Sequence, residues 1–528
     1  MKTKINISKW AFLALGIAFL SSCSEDAMDK INENKDNAKD VTSKFIISDI
    51  ETSTAFSVVG SDLSFYASIY MEHEVGTYNQ MWDAETRNTQ PTSASTYDNS
   101  WKTLYQNLKN AKTVIAKCST GGVEAGNQIT KGVAEVLAAY NLAVLTDLFG
   151  DVPWSQACDL AILQPTVDKQ KDVYAAVFAY LNAAITDLAG KDAAFSGSLG
   201  GQDLIFGGNA KAWMKFAYGL KARYTMHLLY RSTDKTTDLN NIITWADNSF
   251  TSADEDAKYS VYQGQGTAAA SPFAQFFTDR DYFSVSQSFV DKLKARKDPR
   301  TNVLFMNYNE TAQYPKGAYF VNDSTNIYAA PNGTAKEAMD SYDVSVYSSA
   351  FLIPTNLLSY HELQFLKAEA YARLNKNVEA WGALQNAVNS CIATKTSTLV
   401  NDLSGETVAG YTLVGMKGIS DTQIQTYLTS NIKPLFDANP LQEIMVQKYI
   451  GFYGGEGEAL ESYNDYRRLQ AFGQQSFIPL SNPKNSSKFP LRYGYGTSDV
   501  TANPNVEALY GNGQYVYSEK VWWAGGSR

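Results

Sequence analysis

Apolar side chains return at three- and four-residue steps through most of this chain, and that period restricts what it can fold into more than any other feature. Val133, Leu137, Tyr140, Val144 and Leu148 form one stripe that stops at Gly150, with Pro153 beyond it. Glycine suits the left-handed residue after a helix and proline prevents continuation, so the pattern predicts a helix and its end together. Val173, Val177, Leu181, Ile185 and Leu188 repeat the stripe before Gly190, and Trp213, Phe216, Leu220, Tyr224 and Leu228 do so again. Ser359-x-x-Glu362 has the form of a capping box ahead of Leu363, Leu366 and Ala370; after Asn375-Lys376-Asn377 a partner helix is expected from about Val378 to Ile392.

Such stripes need burial against other helices, so the helices over 130–149, 172–189, 210–229 and 359–392 are expected to stack. Ala368-Glu369-Ala370-Tyr371, Glu379-Ala380-Trp381 and Ala387-Val388 resemble one tetratricopeptide-type unit, with small residues where two helices touch and aromatics in the groove. The expected fold is therefore mainly all-α: degenerate tetratricopeptide-type helical hairpins form a scaffold carrying long irregular loop insertions and little β. The period weakens over about 74–100 and 240–358, and segments of that length inside a helical body read as binding loops. The chain from Ser476 onward is loop-like and rich in Tyr, Gly, Pro and Asn.

The N-terminus reads differently. Lys2, Lys4 and Lys9 flank an apolar run, Trp10 to Leu20, that is about half the roughly 20 residues needed to span a bilayer. Leu20-Ser21-Ser22-Cys23 resembles a bacterial lipobox, which makes Cys23 the expected lipidation site and residues 1–22 a removed signal. Ser24-Glu25-Asp26 is similar to a surface-export tag, and residues 23–44 are read as a polar, flexible tether. Residues 45–528 are then one domain. Cys118, Cys158 and Cys391 remain, an odd number without C-x-x-C, and are expected as free thiols.

Composition excludes some functions. With 45 basic and 54 acidic residues, a net charge of -9 and no long basic run, no footprint for nucleic acid is present. The 33 Tyr, 25 Phe and 9 Trp must either pack a core or serve a surface that binds by stacking.

Several motifs, in order, are similar to those of the SusD/RagB family of outer-membrane nutrient-binding lipoproteins. These are Leu145-Thr-Asp-Leu-Phe-Gly-Asp-Val-Pro-Trp154, Asn209-Ala-Lys-Ala-Trp213 through Arg223, and Asp298-Pro299-Arg300. Glu362 to Ala370, Gln447-Lys448-Tyr449, Tyr463-Asn-Asp-Tyr-Arg-Arg468 and Lys488-Phe-Pro-Leu-Arg492 with Asn503-Pro504-Asn505 complete the set. The resemblance covers the chain from Cys23. It implies a lipid-anchored protein on the outer face of the outer membrane that takes up a glycan or other oligomeric nutrient. It also implies a TonB-dependent, SusC-like barrel as partner. The motifs read as structural: Arg467 and Arg468 beside Asp465 are expected to form an ion-paired cap, and His227 to be a satisfied core residue.

Sugars present apolar C–H faces rimmed by hydroxyls, which suits aromatic platforms flanked by polar side chains. The first insertion supplies Tyr78, Trp82, Arg87 and Tyr97; the second supplies Tyr282, Tyr314 and Tyr328 from a larger set that includes Tyr259, Tyr262, Tyr319, Tyr342 and Tyr347. Trp82 stands out because its neighbours lack helical apolar spacing. Trp101, Tyr105, Trp213 and Trp381 are spaced as core.

No catalytic group, metal site or cofactor is predicted. His361-Glu362 begins like H-E-x-x-H, but Phe365 stands where the second ligand would be. Neither G-x-x-x-x-G-K-[ST] nor G-x-S-x-G occurs, and Gly454-Gly455-Glu456-Gly457 reads as a turn. Two alternatives stay open: a transporter lid with weak ligand affinity of its own, and a glycoside hydrolase built on a carboxylate pair.

Overall fold

The computed structural model describes residues 41–528, apart from 89–96, 194–198, 265–268, 308–317, 321–326, 340, 404–406, 409–410, 415–416 and 455. The compact body runs from Ser43 to Arg528, so the first helix begins two residues inside the expected tether. Its principal elements are α1 (Ser43–Ser53), α2 (Asp62–Tyr70), β1 (Glu74–Gly76), α3 (Asn79–Thr86), α4 (Asp98–Cys118), α5 (Gln128–Phe149), α6 (Gln170–Leu188), α7 (Ala210–Leu228) and α8 (Lys235–Asp247). They continue with α9 (Pro272–Arg280), β2 (Phe283–Val285), α10 (Gln287–Arg296), α11 (Tyr360–Arg373), α12 (Asn377–Leu403), α13 (Pro440–Gly451) and α14 (Glu456–Ala471).

Helices α4 to α8 pack each on the next, α8 packs on α11, and α11 pairs with α12, so the predicted stripes do stack into one array. Helix α5 is buried almost all round, packed by α1, α4, α6 and α7. Among the described residues, strands contribute small ladders of two or three strands.

The structure departs from the sequence reading in places. Helix α12 runs past Ile392 to Leu403, because Thr396, Leu399 and Leu403 carry its buried stripe through a threonine-rich stretch of low helix propensity. The insertions hold the short helices α3, α9 and α10, which bury only a few side chains each and leave little periodic signal. The capping box at Ser359 is half formed. Its hydroxyl accepts from Glu362 N at 3.2 Å, but the Glu362 carboxylate turns away to accept from Arg223 Nε and Nη2 at 2.6 Å, a stronger charge-assisted pair.

The sequence motifs meet in this core. Gly150 has a positive φ of 81°, and a Cβ there would lie 2.5 Å from an Arg492 Nη. That vacancy lets the Arg492 guanidinium donate to the Phe149 carbonyl at the end of α5, which joins the first motif to the last. Asp151 accepts from Gln170 N and pairs with Lys169, fixing the start of α6. Arg300 is held by Asp298, Lys448 by Asp465, and Arg468 by both Glu369 and Asp465. Arg467 differs from expectation: among the described residues it pairs with no carboxylate, donating instead to the carbonyls of Asp147 and Leu491 and to Asn464. Trp101 and Trp213 are buried as expected, whereas Trp381 is half-buried against Phe436. Cys118, Cys158 and Cys391 are free thiols.

Candidate functional site: an aromatic patch on β1, α3 and the 327–343 segment

Strand β1 pairs antiparallel with β2, placing Glu74 opposite Val285 and Gly76 opposite Phe283. The ladder brings together segments about 200 residues apart, and Thr77 N then donates to Tyr282 O at 2.9 Å. At Gly76 the chain folds back into α3 so tightly that a Cβ would lie 1.9 Å from the Met81 carbonyl oxygen. This turn sets Tyr78 at the start of α3, with its ring 5.4 Å from that of Tyr282.

Trp82 lies one turn along α3 and is therefore helical, despite the absence of an apolar stripe around it. Its indole Nε1 donates to Ala335 O at 3.0 Å, and Ala338 N donates to Thr77 O at 2.9 Å, so the 335–338 segment is strapped across β1 and α3. Tyr342 is buried with Val75, Ala330 and Ala335. On its face Tyr328 stacks at 5.4 Å with an interplanar angle of 27°. The pair is clamped by Asp343, whose carboxylate accepts from Tyr328 N at 2.8 Å while its own N–H donates to Tyr328 O at 2.9 Å. Tyr328 is nevertheless 58% exposed and Met339 44%, with Lys336 and Glu337 also in solvent.

Tyr78, Trp82, Tyr282 and Tyr328 thus gather in one patch, although Tyr282 is nearly covered. Two of the sequence candidates go elsewhere. Arg87 is buried at the left-handed end of α3, where it donates to Asn485 Oδ1 at 2.7 Å and lies over Phe489. Tyr97 is fully buried, stacked on Tyr493 at 4.2 Å with its hydroxyl 3.0 Å from that of Tyr70. Neither presents a surface to ligand: Arg87 is buried against Asn485 and Phe489, and Tyr97 against Tyr70 and Tyr493. Tyr314 lies outside the described residues. Met339 was missed by sequence reasoning; its position two residues from the 341–343 clamp, in a segment without period, gave no signal.

Beneath the patch two carboxyls are kept from ionising. Burial pushes Glu85 up to about 8, against help from the Gly333 N–H and Arg87. Burial likewise raises Glu74 to about 8, beside a void of about 30 Å³ that admits water but no ligand. His73 is held neutral by burial, at about 3, with Nε2 2.9 Å from Tyr449 O.

His227 and His361 are buried against carboxylates. Burial alone would lower the His227 imidazole, but Glu461 at 2.8 Å and Asp147 at 3.1 Å outweigh it and hold the pKa at about 9. His361 pairs with Glu458 at 2.6 Å, and Lys395 with the same carboxylate at 2.7 Å. No group of three or more His, Cys, Asp or Glu able to hold a metal occurs among the described residues. The patch can offer ring faces and a polar rim.

A family model described as starch-binding, associating with the outer membrane, matches residues 35–496. Among solved structures, a SusD/RagB family protein from Bacteroides thetaiotaomicron is 43% identical, covering 93% of this chain and 100% of its own, with a TM-score of 0.86. A SusD homolog from Bacteroides fragilis shares the fold at 18% identity and a TM-score of 0.68, over 92% of this chain and all of its own. A chitin-binding SusD homolog from Flavobacterium johnsoniae does so at 18% and 0.63, covering 92% of this chain and 98% of its own. No curated protein matches the sequence.

Proposed function

Because the chain belongs to the SusD-like family of starch-binding, outer-membrane-associated proteins, we propose that it captures a glycan at the cell surface and passes it, without catalysis, to a SusC-like TonB-dependent barrel. The observation that carries the reading is Tyr328: a large ring, 58% exposed, backed by Tyr342 and fixed by Asp343. An aromatic face held flat in solvent at such a fixed angle loses little freedom on binding a sugar face. Trp82 and Tyr78 extend the surface, and Lys336 and Glu337 supply polar contacts at its edge.

Two similar structures carry names that include chitin binding, which supports a carbohydrate ligand in kind. Glu362, Glu369 and Glu461 are paired with cations inside the core, which supports a scaffold role for them rather than a catalytic one. In this reading residues 1–22 are a signal, Cys23 carries lipid, and the segment up to the start of α1 tethers the body outside the outer membrane.

The test is a glycan screen of the mature protein followed by calorimetric titration of the best ligand. A glycan that binds the native protein and is weakened by Trp82→Ala or Tyr328→Ala supports the patch; equal affinity in both variants removes it as the site. Turnover of the bound glycan would overturn the non-catalytic reading.

A further inference from the structure

A separate cleft lies at the C-terminal end of α10. It has a volume of about 610 Å³, within the roughly 300–1,000 Å³ usual for small-ligand sites. One wall is the end of α10 and the turn Pro299–Asn302; the other is the helix Asp421–Thr426 with the wide π-helical turn Tyr427–Ile432.

Lys294 and Lys297 both line the cleft and are exposed, and among the described residues neither ammonium has an ion-pair or hydrogen-bond partner. Basic residues at a helix C-terminus commonly serve its unpaired carbonyls. Here that task is filled otherwise: Asn431 Nδ2, brought over by the π-turn, reaches Arg296 O at 2.9 Å and Lys297 O at 3.4 Å. Arg296 itself is spent on Glu443. The carboxylate that borders the cleft is also spent, since Asp298 takes the Arg300 guanidinium at 2.6 Å and the Tyr427 hydroxyl at 2.7 Å. Two positive charges are left facing a wall of hydroxyls and amides, Thr422, Gln423 and Thr426 among them.

We propose that this cleft is a second binding site, for an oligosaccharide unit bearing a carboxylate or sulfate. Lys294 and Lys297 take the anionic group, and the threonine and amide side chains take ring hydroxyls. The whole chain carries a net charge of -9 and repels polyanions at long range, so the fit is to a short, sparsely charged oligomer. The site shares no residue with the aromatic patch and does not depend on it.

The test titrates the mature protein with a disaccharide bearing one uronate, a sulfated disaccharide, their neutral counterparts and inorganic sulfate. At least one acidic sugar is expected to bind about tenfold more tightly than its neutral counterpart, weakening about tenfold in K294Q/K297Q and with added salt. Which acidic sugar responds separates carboxylate from sulfate. Tyr328→Ala should leave this binding unchanged while it weakens a neutral glycan, so failure here and failure of the patch are distinguishable. Equal affinity for acidic and neutral sugars, no effect of K294Q/K297Q, or sulfate binding as well as the sugars would each overturn the proposal.

Discussion

The ion-pair core and the aromatic patch use the same residue types in opposite ways. In the core, aromatic rings pack edge to face or stacked on one another, and cations meet carboxylates or carbonyls: Arg223 with Glu362, Arg468 with Glu369 and Asp465, Arg492 at the end of α5. In the patch, the backbone of Tyr328 and the indole N–H of Trp82 are tied down, but Tyr328 keeps its outer face open. The comparison teaches that side-chain type does not separate scaffold from site here; what separates them is whether the fold supplies a partner for the last face. Disturbing the core should cost stability with little change in affinity per folded molecule, and disturbing the patch should do the reverse.

The largest effect is expected at Arg223. Replacing it with methionine strands Glu362 and weakens the support of Glu461, leaving buried charge unpaired at a cost of about 3–5 kcal/mol. Denaturant unfolding of Arg223→Met measures this; a change below 1 kcal/mol, roughly the worth of an exposed pair, would remove the ion-pair core as a stabilising unit. Next comes Gly150→Ala, which forces a side chain into a positive-φ position and against Arg492. A loss of about 1–3 kcal/mol is expected, and Arg492→Ala in the same background should cost less than it does alone, since the contact is already broken.

Glu85 lies between the two regions, under the patch but bound to Gly333 and Asn482. Its folded pKa of about 8 lies above the ordinary 4.5, so the folded state holds a proton that the unfolded state releases. The stability this gives is complete below pH 4.5 and declines as pH rises toward about 8. Glu85→Gln cannot ionise, so its stability relative to the native chain should improve by about 3–4 kcal/mol between pH 5 and pH 8.5. Parallel pH profiles of the two proteins would contradict a neutral buried carboxyl.

The core was readable from sequence because burial imposes a period. Each stripe, from Val133 to Leu148 and from Trp213 to Leu228, became a helix with its apolar face inward. The site was readable only in part. Tyr78, Trp82 and Tyr328 had the right chemistry, but the ladder that unites them is three residues long on each strand and too short to show alternation. Arg87 and Tyr97 had the same chemistry in the same loop and were buried by Asn485, Phe489 and Tyr493. Sequence reports that a residue is polar or aromatic; it does not report that a partner several hundred residues away will cover it.

The smallest expected effect is the most telling for that distinction. Tyr328→Ala removes an exposed ring from the surface of Tyr342 and leaves the Asp343 clamp intact, since both clamp bonds use the backbone of residue 328. Stability should change by no more than about 0.5 kcal/mol, as for surface positions generally. Glycan affinity should fall by about 1 kcal/mol, roughly fivefold, the scale of one aromatic stacking contact. Tyr328→Phe keeps the ring and should restore most of the affinity, which separates stacking from hydroxyl hydrogen bonding. If Tyr328→Ala instead unfolds the protein as Arg223→Met does, the patch is part of the core and the contrast fails. If affinity is unchanged in a stably folded variant, the open face of Tyr328 is incidental and the ligand lies elsewhere.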